Sequence, residues 1–74
     1  MSKKTSKSIK FTLRQARQHK GLRLLDVGNL VGVHWQTIRN WELGITAIDI
    51  KNLAKLCDVY GIHPDSIVID DGSA

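Results

Sequence analysis

With Cys57 as its one cysteine, the chain cannot form an internal disulfide, so a domain of 74 residues must be held by its packing. No apolar run approaches the roughly 20 residues that cross a bilayer, and no segment joins a basic face to a long apolar one, which argues against a membrane partner. Lysines open the chain without an apolar stretch resembling a signal peptide, so the expected location is the cytoplasm. His19, His34 and His63 are scattered, with no cysteine or acid at metal-ligand spacing; they read as surface or capping residues, and no metal is expected. No Ser/His/Asp set, pocketed carboxylate pair or phosphate-cradling glycine loop can be assembled. The glycines fall instead mostly where helices should stop or the chain should turn. The expectation is a protein that is not an enzyme and takes no cofactor and no small-molecule ligand. Cys57 follows Leu53 and Leu56 at helical spacing and reads as a small buried side chain.

Acid is scarce in one half only. Residues 1–40 hold nine lysines and arginines against Asp26, whereas residues 41–74 hold six acids against Lys51 and Lys55, giving +8 in one half and −4 in the other. Such asymmetry implies a basic face that meets a polyanion and an acidic face that avoids it, and nucleic acid is the leading polyanion. At 42% hydrophobic and 5% aromatic, the core must be built from Leu, Ile, Val and Ala in one small helical domain. A chain this short buries only about 60% of the surface its unfolded form exposes.

Residues 1–8 carry Lys3, Lys4 and Lys7 among Ser and Thr with nothing to bury; they read as a mobile basic arm, either simply solvated or following phosphates. The folded domain is expected over 9–69 and a frayed tail over 70–74. Ile9-Lys10-Phe11 alternates apolar and basic residues. Thr12-Leu13-Arg14-Gln15 then fits a capping box, predicting a first helix from Thr12 to Lys20 that Gly21 ends. Leu13, Ala16 and Arg17 share its inner face, where an arginine needs a partner, while Arg14, Gln18 and Lys20 look outward.

A second helix, Leu24 to Val31, turns Val27, Leu30 and Val31 inward and puts Gly28 where it would cross the next helix. Close backbone approach would offset the ~1 kcal/mol that a helical glycine costs. Gly32 supplies a left-handed turn that Val33 anchors. The third helix follows, with Ile38 and Trp41 inward and Trp35, Gln36, Thr37, Arg39 and Asn40 toward the front or flanks, and Gly44 stops it. A helix set by a tight glycine turn and polar on its outer face is how a helix-turn-helix presents base-reading side chains to the major groove. Thr46-Ala47-Ile48-Asp49 offers a second capping box for a fourth helix to about Tyr60, with Ile50, Leu53, Leu56, Cys57 and Tyr60 on one stripe. His63-Pro64-Asp65 starts a last helix of about one turn. Ile67-Val68-Ile69 then either runs extended beside Ile9 to Phe11, tying the termini, or forms a dimer contact.

Five pieces occur in order: Leu13-Arg14-x-x-Arg17 before Gly21-Leu22; Leu30-Val31-Gly32-Val33; Thr37-Ile38-x-x-Trp41-Glu42-x-Gly44; Leu53-Ala54-x-Leu56; and Tyr60-Gly61-Ile62. In this order and spacing, Leu13 to Ile67 resembles the Cro/C1-type helix-turn-helix family, the domains of phage repressors, Cro-type proteins and many small bacterial regulators. The resemblance implies an all-α, compact five-helix bundle, lambda-repressor-like, that binds duplex DNA through its third helix as a phage- or prophage-encoded transcriptional regulator. It implies that Arg17 pairs with Glu42, that Gln36, Thr37 and Asn40 reach base edges, and that Arg39 and Asn40 lie near phosphates. Gln and Asn can bond adenine bidentately and a Thr methyl can touch thymine. Trp35, at the start of the same helix, joins the candidate base contacts. The candidate phosphate contacts are Arg14, Lys20, Arg23 and Arg39, with Lys3, Lys4 and Lys7 of the arm.

The departures from the family are specific. Leu24 stands where a phosphate-gripping glutamine is usual and Arg23 where a small capping hydroxyl is expected. His34 replaces the Ser/Thr cap of the recognition helix, Trp35 is bulky for its place, and the proline expected near Ile48 is absent. Leu24, Leu25 and Trp35 make the front unusually apolar; with Ile67, Val68 and Ile69 they form a candidate protein-partner surface. Trp35 either packs partly against Leu25 or contacts a partner. A monomer reads too few bases for high specificity, so a homodimer on half-sites about one helical turn apart is expected. The alternative is a module that docks on a repressor protein and alters its activity.

Overall fold

The computed structural model describes residues 10–69. Among these residues four α-helices carry the fold: α1 (Leu13–His19), α2 (Leu24–Val31), α3 (Trp35–Leu43) and α4 (Ile50–Tyr60). A 3-10 turn at Pro64–Ser66 and two short strands, β1 (Phe11–Thr12) and β2 (Ile67–Val68), complete it. The expected arm at 1–8, Ile9 and the tail at 70–74 lie outside the described residues. Among the described residues no helix is long and apolar enough to cross a membrane.

Thr12 ends β1 and caps α1. Its Oγ1 accepts from the Gln15 backbone N–H at 3.1 Å, while Gln15 Oε1 accepts from the Thr12 N–H at 3.0 Å, so two otherwise orphaned donors are satisfied reciprocally. β1 pairs with β2 in the register Phe11↔Ile67 and Thr12↔Val68. The pairing is parallel, the direction that a long helical crossover between two strands permits. Strand alternation sends Ile67 into the core at 9% exposure and leaves Val68 at 45%, so Ile67 drops out of the partner surface expected for Ile67 to Ile69.

The five-helix expectation becomes four α-helices and one 3-10 turn. His63 Nδ1 accepts from the Asp65 N–H at 3.1 Å and Pro64 takes the first helical position, as the sequence suggested. The β-branched residues that follow favour extended backbone, and the turn stops after three residues. α4 likewise begins later than a capping box at Thr46 implies: Asp49 is its N-cap, and the Asp49 carboxylate accepts from the Asn52 side-chain amide at 2.6 Å.

Val27, Ile38 and Leu56 are fully buried, surrounded by Leu13, Ala16, Trp41, Cys57, Tyr60 and Ile67. Each fully buried aliphatic side chain contributes about 1.5–3 kcal/mol, so α2, α3 and α4 are bound to one another through this trio. Two residues expected inward are not. Leu30 is 62% exposed because the inner stripe of α2 runs through Leu24, Val27, Gly28 and Val31, and Leu30 falls beside it. Ile50 is 84% exposed: it continues the stripe of Leu53, Leu56, Cys57 and Tyr60, but in a first turn that reaches past the elements covering the rest.

The angle between α2 and α3 is set by two glycines. Gly32 has φ +81°, and the N–H groups of Gly32 and Val33 both donate to the Gly28 carbonyl, at 2.8 and 2.9 Å, closing α2 in a left-handed cap. Gly28 lies where the backbones touch: a Cβ there would meet the Val33 carbonyl oxygen at 2.6 Å and the Trp35 nitrogen at 3.1 Å. Only hydrogen fits, which is the close approach the sequence called for.

Candidate nucleic-acid interface

α3 is fixed at three levels. At its start, His34 Nδ1 accepts from the Gln36 N–H at 3.1 Å and the His34 carbonyl accepts from Thr37 N–H at 2.9 Å, so an imidazole performs the capping usually given to a hydroxyl. The Trp35 ring leans on that imidazole, centroids 5.4 Å apart and planes tilted by 32°. Along its rear, Ile38 and Trp41 enter the core. Near its end, Glu42 receives the Arg17 guanidinium: Nε to Oε2 at 2.6 Å and Nη2 to Oε1 at 3.1 Å, while Nη1 donates to the Leu22 carbonyl at 2.9 Å.

Arg17 thus has the partner its inward position demands. The two side chains are 11% and 5% exposed, and the hydrogen bonds to Glu42 raise the Arg17 pKa above its usual value against the opposing effect of burial. Behind the pair stands Tyr60, whose buried hydroxyl has no hydrogen-bond partner among the described residues. Burial, aided by the Glu42 charge, pushes its pKa upward.

With the rear committed, the polar residues are left in front. Gln36 and Arg39 are exposed, Thr37 and Asn40 half-buried, and Trp35 is 38% exposed. Gln36 and Asn40 are one turn apart on the same face. Trp35 is neither sealed by Leu25, itself 51% exposed, nor free of the fold, since its backbone abuts Gly28. Leu24 is half-buried against the core and also lines the front.

The expected phosphate contacts that lie among the described residues separate into three groups. Arg14 and Arg39 come together from α1 and α3, lining a groove of about 260 Å³ with Arg17, Leu24, Glu42 and Leu43. Both are exposed, and among the described residues neither is in an ion pair. Lys20 lies elsewhere, its terminal atoms 3.6 Å from where a Cβ on Gly61 would stand, at the carbonyl end of α4. Arg23 is engaged: its Nε and Nη2 donate to Asp26 Oδ2 and Oδ1, both at 3.1 Å. Sequence reading missed that pairing, although an acid three residues into a helix from a basic N-cap was there to be seen. Lys3, Lys4 and Lys7 lie outside the described residues.

A family model described as helix-turn-helix matches residues 13–67, the span from the first residue of α1 to the first of β2. A curated relative, the isomerizing glutamine–fructose-6-phosphate aminotransferase of Methanocaldococcus jannaschii, is 36% identical over 69 residues. That stretch is 92% of this chain but 6% of the aminotransferase. No solved structure matches the chain.

Proposed function

This chain belongs to the Cro/C1-type helix-turn-helix family of DNA-binding regulators, and from that premise we propose that it recognises a specific duplex sequence by laying α3 in the major groove. One observation carries the reading: α3 is held from behind by Ile38, Trp41 and the Arg17–Glu42 pair, while Gln36, Thr37 and Asn40 remain in front with a basic groove alongside. Gln36 and Asn40 suit adenine edges, the Thr37 methyl suits thymine, and Trp35 offers a thymine methyl a flat apolar neighbour. Arg14 and Arg39 supply phosphate contacts on the folded domain, Lys20 a more peripheral one, and Lys3, Lys4 and Lys7 extend the basic run. The aminotransferase similarity is a shared segment of 6% of that enzyme, which supports no transfer of its chemistry.

A homodimer with a two-fold axis, placing two copies of α3 about 34 Å apart, would supply the specificity one copy lacks. The exposed Val68 and Ile69, at 45% each, are the surface we assign to it. A phage or prophage repressor is the regulator that the Cro/C1 resemblance favours. A second reading draws on exposed Leu25 and Trp35: the same fold docking on a repressor protein. Selection from random duplexes, followed by salt titration of what is recovered, tests the choice. An enriched palindrome with a steep salt slope is the expected result; no enrichment, with tight salt-insensitive capture of a repressor that Trp35→Ala abolishes, would transfer the reading to the protein partner.

A further inference from the structure

At the start of α2 the molecule already holds an anion of its own. The Asp26 carboxylate takes three donors from one residue: the Arg23 backbone N–H at 2.9 Å, Nε at 3.1 Å and Nη2 at 3.1 Å. The pair is open to solvent, with the Arg23 side chain 79% and the Asp26 side chain 33% exposed. It also adjoins the basic groove, whose lining includes Leu24, the residue after Arg23. A guanidinium fork accepts carboxylate and phosphate oxygens in the same bidentate geometry, so Asp26 occupies the position a backbone phosphate would take on Arg23. The arginine hydrogen bonds in turn hold the Asp26 pKa below its usual value, so the competitor is charged at any pH near neutral.

We propose that Asp26 is an internal competitor for DNA phosphate: it silences Arg23, leaves backbone anchoring to Arg14 and Arg39, and caps the affinity of the module. The proposal rests on the DNA-binding reading and adds that α2 with its N-cap, Arg23 balanced by Asp26, contributes no net charge to the encounter, unlike the groove between α1 and α3. Removing the competitor therefore creates a tighter, less discriminating binder, because a phosphate bound by Arg23 carries no sequence information.

The test is salt-dependent binding of the full chain to a mixed-sequence duplex. Asp26→Asn keeps an oxygen able to accept the Arg23 N–H but removes the charge. Binding should tighten and the slope of log K against log salt should steepen by about 0.9, the signature of one more neutralised phosphate. Arg23→Gln should leave the wild-type slope unchanged and should return the Asp26→Asn slope to the wild-type value. An unchanged slope for Asp26→Asn, or a slope shallower by about 0.9 for Arg23→Gln alone, would overturn the proposal. Should Asp26→Asn fail to fold, the Arg23→Gln result decides by itself. Arg39→Gln is the control for the underlying reading: a shallower slope there keeps DNA binding in place even where the Asp26 result fails. A chain that binds no duplex in any of these forms would sink both.

Discussion

The two arginine–carboxylate pairs among the described residues have nearly the same hydrogen bonds and opposite surroundings. Arg17 and Glu42 are 11% and 5% exposed and join α1 to α3 across 25 positions of sequence. Arg23 and Asp26 are 79% and 33% exposed and sit three positions apart in one helix turn. Water decides the difference. A buried charge cannot recover its hydration when its partner is removed, so the first pair acts as a fastening; an exposed one can, so the second adds little to the stability of the fold. The sharpest way to break the comparison is to remove one carboxylate at a time. Glu42→Gln should cost about 3 kcal/mol, because Arg17 would keep its burial and its bond to Leu22 but lose its counter-charge. In a domain of this size that lowers the unfolding temperature by more than about 10 °C. Asp26→Asn should leave that temperature almost unmoved, and equal losses from the two variants in a thermal melt would show that exposure is not what separates them.

The rigid rear has a second fastening in Gly28, and it ranks next. Gly28→Ala forces a methyl group to within 2.6 Å of the Val33 carbonyl oxygen, a backbone atom that cannot swing aside. Overpacking of this kind costs about 1–3 kcal/mol and must open α2 from α3. Affinity for duplex DNA should fall along with stability, since the start of α3 carries both His34 and Trp35. Gly32→Ala is the informative companion. It meets no atom within 4 Å but imposes φ +81° on a side chain, so its cost is backbone strain with the helix angle kept. If both variants lose stability yet only Gly28→Ala loses DNA affinity at a temperature where each is folded, the helix angle and not the turn is what the interface needs.

On the front, Gln36→Ala should reverse the pattern. Melting temperature should hold, since Gln36 is exposed and its backbone N–H still receives the His34 cap. Discrimination between the preferred base pair and its alternatives should fall by about 1–3 kcal/mol at one position of the site. An unchanged sequence preference would mean that α3 is docked in another way.

Much of this was legible beforehand because helix ends are local. Thr12 and Gln15, Pro64 behind His63, and the turn at Gly32 follow from residues within three or four positions of each other, and the structure has them where the sequence places them. The inward Arg17 announced an unmet need, and the family resemblance named Glu42 as the residue that meets it. What was not legible depends on the extent of neighbouring elements. Ile50 satisfies helical periodicity as well as Leu53 does, and only the reach of the surrounding elements leaves it in water; Leu30 lies beside the stripe of Val27, Gly28 and Val31, whose width those neighbours set. The Arg23–Asp26 pair was hidden differently: net charge counts an arginine as a candidate phosphate contact whether or not an acid holds it, and only the folded arrangement shows Arg23 engaged by Asp26.

The two regions should also part company along the pH axis, which is the smallest effect and the most specific. Asp26 has a pKa held below the usual 3.8 by its hydrogen bonds to Arg23, so its contribution is complete above that value and is lost as pH falls through the lower, folded-state one. Tyr60 runs the other way. Burial first, and the Glu42 charge second, push its pKa above the usual 10, so its stabilising effect is complete below about 10 and is lost as pH rises through the folded-state value. Because Tyr60 is the one tyrosine in the chain, alkaline absorbance titration reads it alone. The native protein should show no tyrosinate at pH values where the urea-unfolded chain is half ionised, and tyrosinate should emerge together with loss of helical circular dichroism. Glu42→Gln should bring ionisation to lower pH by removing the largest of its charge-based causes, whereas Asp26→Asn should leave it where it was. A Tyr60 that titrates near 10 in the folded wild type would mean that water reaches the rear of α3, and the contrast between a sealed pair and a solvated one would have to be abandoned.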